Sequence, residues 1–384
     1  MVSNFQSMIW ILVFYGILGL YFMFIGGMGI GLSRLQKKSF LAYLSPKTQF
    51  SIVVPMRNEA GSILKLLESI SEVSYPSGLF EVFIVDDDSL DESWTQVRRF
   101  QAQHREIKIY LLSNSEGKFT PKKNAIHKAV QLAHTDYILT TDADVQVPEY
   151  WLKEFDACLQ TTDAKLVAGG VVVSQNRSFL SVYQHYDMLS LQAFGLASFA
   201  YKKPVICNGA NLCYDKKAYL QAEVYKGYEQ VASGDDVFTL QSLRQNGFKI
   251  EFLSSSSSVV WTEPVKSFSG LWQQRKRWAK KTASVDSHYV IGVGILVTLV
   301  QLTFVVALVL GFWDTRFFGF VVTAFMVKLA IDGWYLSKMA KMQNLIFCWT
   351  DFLKVSLVYP FLTLLFSLSS LSGSFEWKGR RFSK

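Results

Sequence analysis

Hydrophobic and polar positions divide the chain into three regimes. No residue from Ile9 to Leu32 is charged, and none from Tyr289 to Trp313. Each stretch is long enough to cross a hydrocarbon core as a helix. The first has no basic segment ahead of it, no small-x-small cleavage site in a polar context, and more length than a signal sequence uses. Residues 1–33 are therefore expected to be a retained anchor. Beyond Trp313 the apolar signal is mixed: Phe317 to Leu336 contains Lys328 and Asp332, and Leu345 to Leu371 contains Asp351, Lys354 and Pro360. Charges at that depth are costly and should face protein, water or the headgroups.

The middle regime, residues 49–262, has the size of one soluble domain. Phe50 to Pro55 is a short β-branched run that predicts a buried strand. After Asn58, the residues Ile63, Leu66, Leu67 and Ile70 repeat at i, i+3, i+4 and i+7 and predict a helix. Val82 to Val85 is a second strand, ending in three aspartates, with Asp91 placed to cap the helix that follows. Ile107 to Leu112 predicts a third strand, Asn124 to Leu132 a helix, and Tyr137 to Thr140 a fourth strand that also ends in acid. Strands alternating with helices imply an α/β, mainly parallel sheet, whose ligands bind at the carboxyl ends of the strands. Both acidic clusters fall on that edge. The run Ser254 to Ser258 reads as an exposed turn.

Charge changes the picture at the flanks. The formal net charge is +8, which could suit nucleic acid. Its distribution argues for a bilayer and no nucleic acid: Arg34, Lys37 and Lys38 follow the first span, and Arg275, Lys276, Arg277, Lys280 and Lys281 precede the next. Cys158, Cys207, Cys213 and Cys348 form no paired framework, which suits a reducing compartment. The five histidines form no metal-spaced pair.

Four clusters carry candidate chemistry. Asp86, Asp87 and Asp88 stand at a strand–helix junction, where acids often only cap turns. Asp142 and Asp144 are two carboxylates one residue apart at a strand tip, a pair that can share a hard divalent cation with a diphosphate. Asp235 and Asp236 open a helix, where the helix dipole alone would favour them. Gln274, Arg277 and Trp278 lie in a basic stretch that could be a plain interfacial helix. The same residues could also neutralise a diphosphate leaving group and wall it in.

In their order along the chain these pieces resemble glycosyltransferase family 2, which has a GT-A fold. The matching segments are VVPMRNE (Val53 to Glu59), DDDS (Asp86 to Ser89), DAD (Asp142 to Asp144), GDD (Gly234 to Asp236) and QRKRW (Gln274 to Trp278). GKFTPKKNA (Gly117 to Ala125), CNGANLCY (Cys207 to Tyr214) and TEP (Thr262 to Pro264) are similar as well. The sequence departs from the family's usual DDGS and TED or GED at Asp88 and Asp235. The resemblance implies nucleoside contacts at Pro55, Glu59 and Asp87 with Asp86 beside them, and a nucleotide contact from Lys118 or Lys122. It implies ribose or sugar contact at Asp142, a Mg2+ or Mn2+ ion at Asp144 shared with Asp142, a general base at Asp236, and closure over the diphosphate and acceptor by Gln274, Arg277 and Trp278. Lys280 and Lys281 are expected to face lipid headgroups.

The expected activity is an inverting, metal-dependent transfer from a nucleotide-diphosphate sugar, with UDP the favoured nucleotide, to a hydroxyl on a membrane lipid. Two alternatives stand beside it: a processive β-glycan synthase, and a non-catalytic membrane scaffold with a transferase-like domain. About four candidate spans are few for a polymer conduit. The expected layout is an anchor (1–33), a basic linker (34–48), the catalytic domain (49–262), an interfacial helix region (263–288), a membrane region (289–372) and a basic tail (373–384). The charge rule places the catalytic domain on the cytoplasmic face of a plasma or inner membrane. A full crossing by residues 345–371 would put the basic tail on the wrong side, so that segment is expected to be re-entrant or interfacial.

Overall fold

The computed structural model describes residues 2–35, 44–114, 117–283, 287–369 and 374–383. Lys37, Lys38 and Lys384, with most of the expected basic linker, lie outside them. The strands are β1 (Phe50–Met56), β2 (Phe80–Asp86), β3 (Lys108–Ser113), β4 (Tyr137–Thr140), β5 (Val145–Gln146), β6 (Leu166–Gly169), β7 (Val171–Val173), β8 (Leu212–Asp215), β9 (Ile250–Leu253), β10 (Val260–Thr262), β11 (Ser374–Trp377) and β12 (Arg380–Ser383). Seven form the central sheet, in the order β3-β2-β1-β4-β8-β6-β9. β1 runs parallel to both β2 and β4, and β2 to β3. Only β8 opposes its neighbours, so the sheet is mixed but mainly parallel.

The strand order turns at β1, with β2 on one side and β4 on the other. Helices that leave in opposite directions from such a pair open a crevice at its carboxyl end. The apolar stripe read from the sequence packs there as expected: Ile63, Leu66, Leu67 and Ile70 are all buried on the helix Ile63–Ser71. Asp91 ties the next helix down, its carboxylate accepting from Ser93 N at 3.0 Å and from Ala60 N at 3.0 Å. Pro121 occupies the first turn of the helix Pro121–Leu132, where its missing N–H costs nothing.

Two elements escaped the sequence pattern. The helix Phe179–Ala200 is buried on nearly every face, because one side meets the catalytic domain and the other the membrane helices. A small sheet, β5-β10-β7, joins residues far apart in sequence. The serine run is also not the exposed turn expected. Ser255 and Ser258 are buried, and Ser255 donates to Glu154 Oε1 at 2.5 Å, so the hydroxyls satisfy a buried acid.

Among the described residues, four helices are long and apolar enough to cross a membrane: Gln6–Arg34, His288–Leu310, Arg316–Met342 and Trp349–Ser369. The last is continuous through Pro360, so it is not a re-entrant hairpin. Its start meets the catalytic domain and its end meets the helix Phe268–Ala283. Tyr186 donates to Cys348 O at 2.7 Å near its start, and Phe366 packs on Phe268 and Trp272 near its end. The strands β11 and β12 pair antiparallel around Lys378 and Gly379, whose φ values of 53° and 74° fit a two-residue hairpin turn.

Candidate active site

The site is built where β1, β2 and β4 end side by side. Two adjoining cavities open there, of about 200 and 90 Å3. Lys122, Asp142, Asp144 and Arg277 line both. The smaller adds Pro55, Met56, Arg57, Glu59, Asp87 and Lys378. The larger adds Asp235, Asp236, Gln274, Trp278 and Lys281. Segments separated by two hundred residues thus converge on one cleft.

Lys122 joins two of the motifs. Its ammonium lies 2.8 Å from Asp142 Oδ1 and 3.3 Å from Asp235 Oδ2. Burial opposes its charge, but Asp142, Asp235 and Asp236 together hold its pKa well above the ordinary lysine range. Lys118 does not reach the cleft; it is largely exposed, 3.9 Å from Glu229. The sequence left these two lysines open, and the structure brings in Lys122.

Asp144 is accessible to the cleft while protein crowds around it. That desolvation, with Asp142 and Glu59 nearby, pushes its carboxyl up to about 7. Asp236 behaves in the opposite way. Burial favours its neutral form, yet Lys281 and Lys122 outweigh burial and hold it below the ordinary carboxylate range. Lys281 Nζ is 3.0 Å from Asp236 Oδ2. The expectation that Lys281 faces lipid headgroups is therefore corrected: it points into the cleft, whereas Lys280 lies over the Phe375 ring. One helix turn does not separate them; adjacent residues on the helix Phe268–Ala283 point about 100° apart.

The turn after β2 is a positioning device. Asp86 accepts from both the backbone and hydroxyl of Ser89, so its carboxylate is spent within the turn and lines neither cavity. Asp88 sits at φ 53°, where the more usual glycine would be at ease and an aspartate is tolerated. Asp87 is the acid presented to the pocket. Asn114, which the sequence reading missed, donates to its Oδ1 at 2.8 Å, and Asn124 donates to Asn114 at 3.0 Å. Arg57, also missed, donates to the Asp88 carbonyl at 3.1 Å and to that of Asp87.

The tail completes this pocket. Arg380 donates to Asp87 Oδ2 at 2.6 Å and to Asp88 Oδ2 at 3.1 Å, and Lys378 pairs with Glu59. The two acids expected to meet a nucleoside are thus already held by cations from the far end of the chain.

CNGANLCY has a structural reading beside its place in the cleft. Asn211 is fully buried and satisfied, accepting from Trp151 Nε1 at 2.9 Å and donating to Gly170 O and Ser258 O at 2.8 and 2.9 Å. Gly209 N donates to Asp236 Oδ2 at 3.3 Å. A Cβ at Gly209 would lie 2.9 Å from Asp235 Oδ2, so a larger residue there would have to displace that carboxylate.

Residues 51–220 match glycosyl transferase family 2, and residues 137–371 match glycosyl transferase family group 2. The second match spans more than half of the chain. This chain belongs to glycosyltransferase family 2. The transferase is 22% identical over 239 residues to a beta-monoglucosyldiacylglycerol synthase from Synechocystis sp., a match covering 61% of this chain and 48% of that protein. It is 22% identical over 234 residues to a poly-beta-1,6-N-acetyl-D-glucosamine synthase from Staphylococcus epidermidis, covering 60% and 53%. The chain thus spans about half the length of these relatives. A mannosyltransferase from Pyrobaculum calidifontis, solved with GDP-Man and Mn2+, superposes with a TM-score of 0.58 at 17% identity, covering 88% of this chain and 97% of that one. At that identity the likeness is one of fold, and the fold of the transferase is GT-A.

The donor set fits a hard divalent ion. Asp142 and Asp144 offer carboxylate oxygens at the junction of the two cavities, and no group of three or more His, Cys, Asp or Glu among the described residues closes a metal cage. Two acids with room for phosphate oxygens are what a magnesium or manganese ion bound together with a nucleotide requires.

Proposed function

We propose that the transferase moves a sugar, with inversion, from a nucleoside-diphosphate sugar to a hydroxyl of a membrane lipid, with UDP-sugars the favoured donors. The observation that carries this reading is the pair of adjoining cavities sharing Lys122, Asp142, Asp144 and Arg277. One side is shaped by the residues of a nucleoside site, and the other holds a carboxylate, Asp236, facing the acceptor side. Asp144 and Asp142 would hold the divalent ion, which supplies charge neutralisation to the departing diphosphate. Arg277 adds a fixed guanidinium at the same place. Gln274 and Trp278 wall the larger cavity and exclude water.

In the transfer step the acceptor oxygen bonds to the anomeric carbon as the carbon–diphosphate bond breaks, and the hydroxyl proton passes to Asp236. The nucleoside diphosphate leaves with the bonding electrons. In-line attack turns an α-linked donor into a β-linked product.

The hairpin β11–β12 docks on the donor pocket, so tail and catalytic domain share one side of the bilayer. The basic flanks support the cytoplasmic side of a plasma or inner membrane. The helix Trp349–Ser369 lies at the interface in this reading, because a full crossing would carry the docked tail to the other side of the bilayer. A processive synthase is the second reading, favoured by the likeness to the glycan synthase. Against it, the space among the membrane helices is lined mainly by apolar side chains, a poor conduit for a hydrated polymer. Purified protein given radiolabelled sugar nucleotides and total membrane lipid decides between them: label in an organic-soluble lipid supports transfer to lipid, and label in a high-mass polymer sinks it.

A further inference from the structure

A third cavity, of about 370 Å3, lies among the helices Val2–Arg34, Phe179–Ala200, His288–Leu310, Arg316–Met342 and Trp349–Ser369. Its size is that of a small-molecule pocket. Leu191 and Ile206 line both this cavity and the larger active-site cavity, so the two spaces meet at that pair of side chains.

Most of the wall's surface is apolar, interrupted by hydroxyl, amide and charged side chains. Gln301 and Tyr335 both line it and are buried, at 1% and 4% exposure. Gln301 Oε1 and the Tyr335 hydroxyl have no hydrogen-bond partner among the described residues. A buried polar atom left unpaired costs about 1–3 kcal/mol, and hydrocarbon offers no water to relieve it. Two such atoms on residues of one cavity wall, each brought to the cavity by a side-chain rotation, suit a ligand that carries polar groups along an otherwise greasy body.

Charge decides which class of lipid this is. The charged groups in the wall, Lys328 and Asp332, pair with each other, and Tyr21 donates to Asp332 at 2.9 Å. Their sum is zero. The larger active-site cavity is lined by three cations, Lys122, Arg277 and Lys281, against four acids, Asp142, Asp144, Asp235 and Asp236. Lys122 and Lys281 are already paired with those acids. Arg277 also lines the nucleoside side, where the donor's own diphosphate needs it. With the divalent ion's two charges set against the donor's diphosphate, a lipid phosphate would bring a further anion to a cavity whose acids already outnumber its cations.

We propose that the acceptor is a neutral lipid alcohol with a second polar group on its backbone, an ester or an amide, seated in this cavity. This deepens the transferase reading and rests on it. The lipid's ester or amide answers Gln301 and Tyr335, and its hydroxyl reaches between Leu191 and Ile206 towards Asp236. Its oxygen bonds to the anomeric carbon, the bond to the diphosphate oxygen breaks, and the proton goes to Asp236.

The test uses the full chain in nanodiscs, with labelled UDP-glucose, UDP-N-acetylglucosamine and GDP-mannose as donors. The lipids offered are a diacylglycerol, a ceramide and a polyprenyl phosphate. Label should enter a neutral lipid. Gln301→Leu and Tyr335→Phe should each raise the KM for that lipid about threefold to tenfold while leaving UDP or GDP binding unchanged. Ile206→Trp should stop transfer with nucleotide binding retained. Label on the polyprenyl phosphate alone overturns the inference and leaves the transferase reading standing. Unchanged lipid KM in both cavity variants, with only melting temperature altered, shows that the cavity holds structural lipid and overturns it too. Failure of the wild type to bind UDP or GDP overturns the transferase reading and this inference together.

Discussion

Lys281 Nζ lies 3.0 Å from Asp236 Oδ2 and 3.2 Å from its Oδ1. A general base held this closely by an ammonium is ionised but weak. Removing the ammonium should raise the Asp236 pKa, because Lys281 is the largest influence lowering it. Since transfer needs the carboxylate form, Lys281→Met should move the acid limb of the kcat/KM profile to higher pH. Lys280→Ala should leave that limb in place. A limb that stays put in Lys281→Met means that Asp236 does not set it.

The tail makes a prediction that composition alone could not. Lys378 and Arg380 reach Glu59 and Asp87 across more than 290 residues of chain. Lys378→Ala and Arg380→Ala should each raise the donor KM about tenfold with kcat nearly kept, a loss of about 1.4 kcal/mol. Steady-state kinetics at saturating acceptor measure this. A fall in kcat with donor KM unchanged would place the hairpin outside donor binding.

Much of the fold was legible because it rests on local periodicity. The strands at Phe50, Val82, Ile107 and Tyr137 alternate with helices whose apolar stripes are simple, and the acids at their tips are where a parallel sheet presents ligands. The helix Phe179–Ala200 was not legible. With two buried faces it has no polar stripe for a periodic reading to find. Lys281 was misread for a related reason: a lysine beside a membrane span has a generic explanation in headgroup charge, and only the packing of its helix against Asp236 replaces it. Asn114 and Arg57 carried no chemistry of their own in the sequence, because they act by holding Asp87 and its turn.

Metal binding should depend on pH with a definite sign. The Asp144 carboxyl, raised to about 7, is protonated below that value and must release its proton before it can ligate. The affinity for Mn2+ in the presence of UDP should therefore climb as pH rises from 6 to 8 and flatten above. In Asp144→Asn the climb should vanish together with divalent-dependent turnover. Calorimetry of Mn2+ binding at several pH values checks it, and an affinity flat over this range would remove Asp144 from the ligand set.

Topology follows from the docked hairpin. A cysteine placed at Arg381, which is exposed, should be labelled by an impermeant reagent only after cells are opened. Labelling of intact cells would place the tail outside, and the interfacial position of the helix Trp349–Ser369 would have to be abandoned.

The central claim is that the carboxylate of Asp236 takes the acceptor's proton in a transfer from a nucleoside-diphosphate sugar to lipid. The most direct measurement compares wild type with Asp236→Asn, following labelled sugar from nucleotide to organic-soluble product and nucleotide binding in the same preparations. Binding should be nearly unchanged in the variant, while transfer falls by about a hundredfold or more. A variant that retains a tenth or more of wild-type transfer contradicts the account.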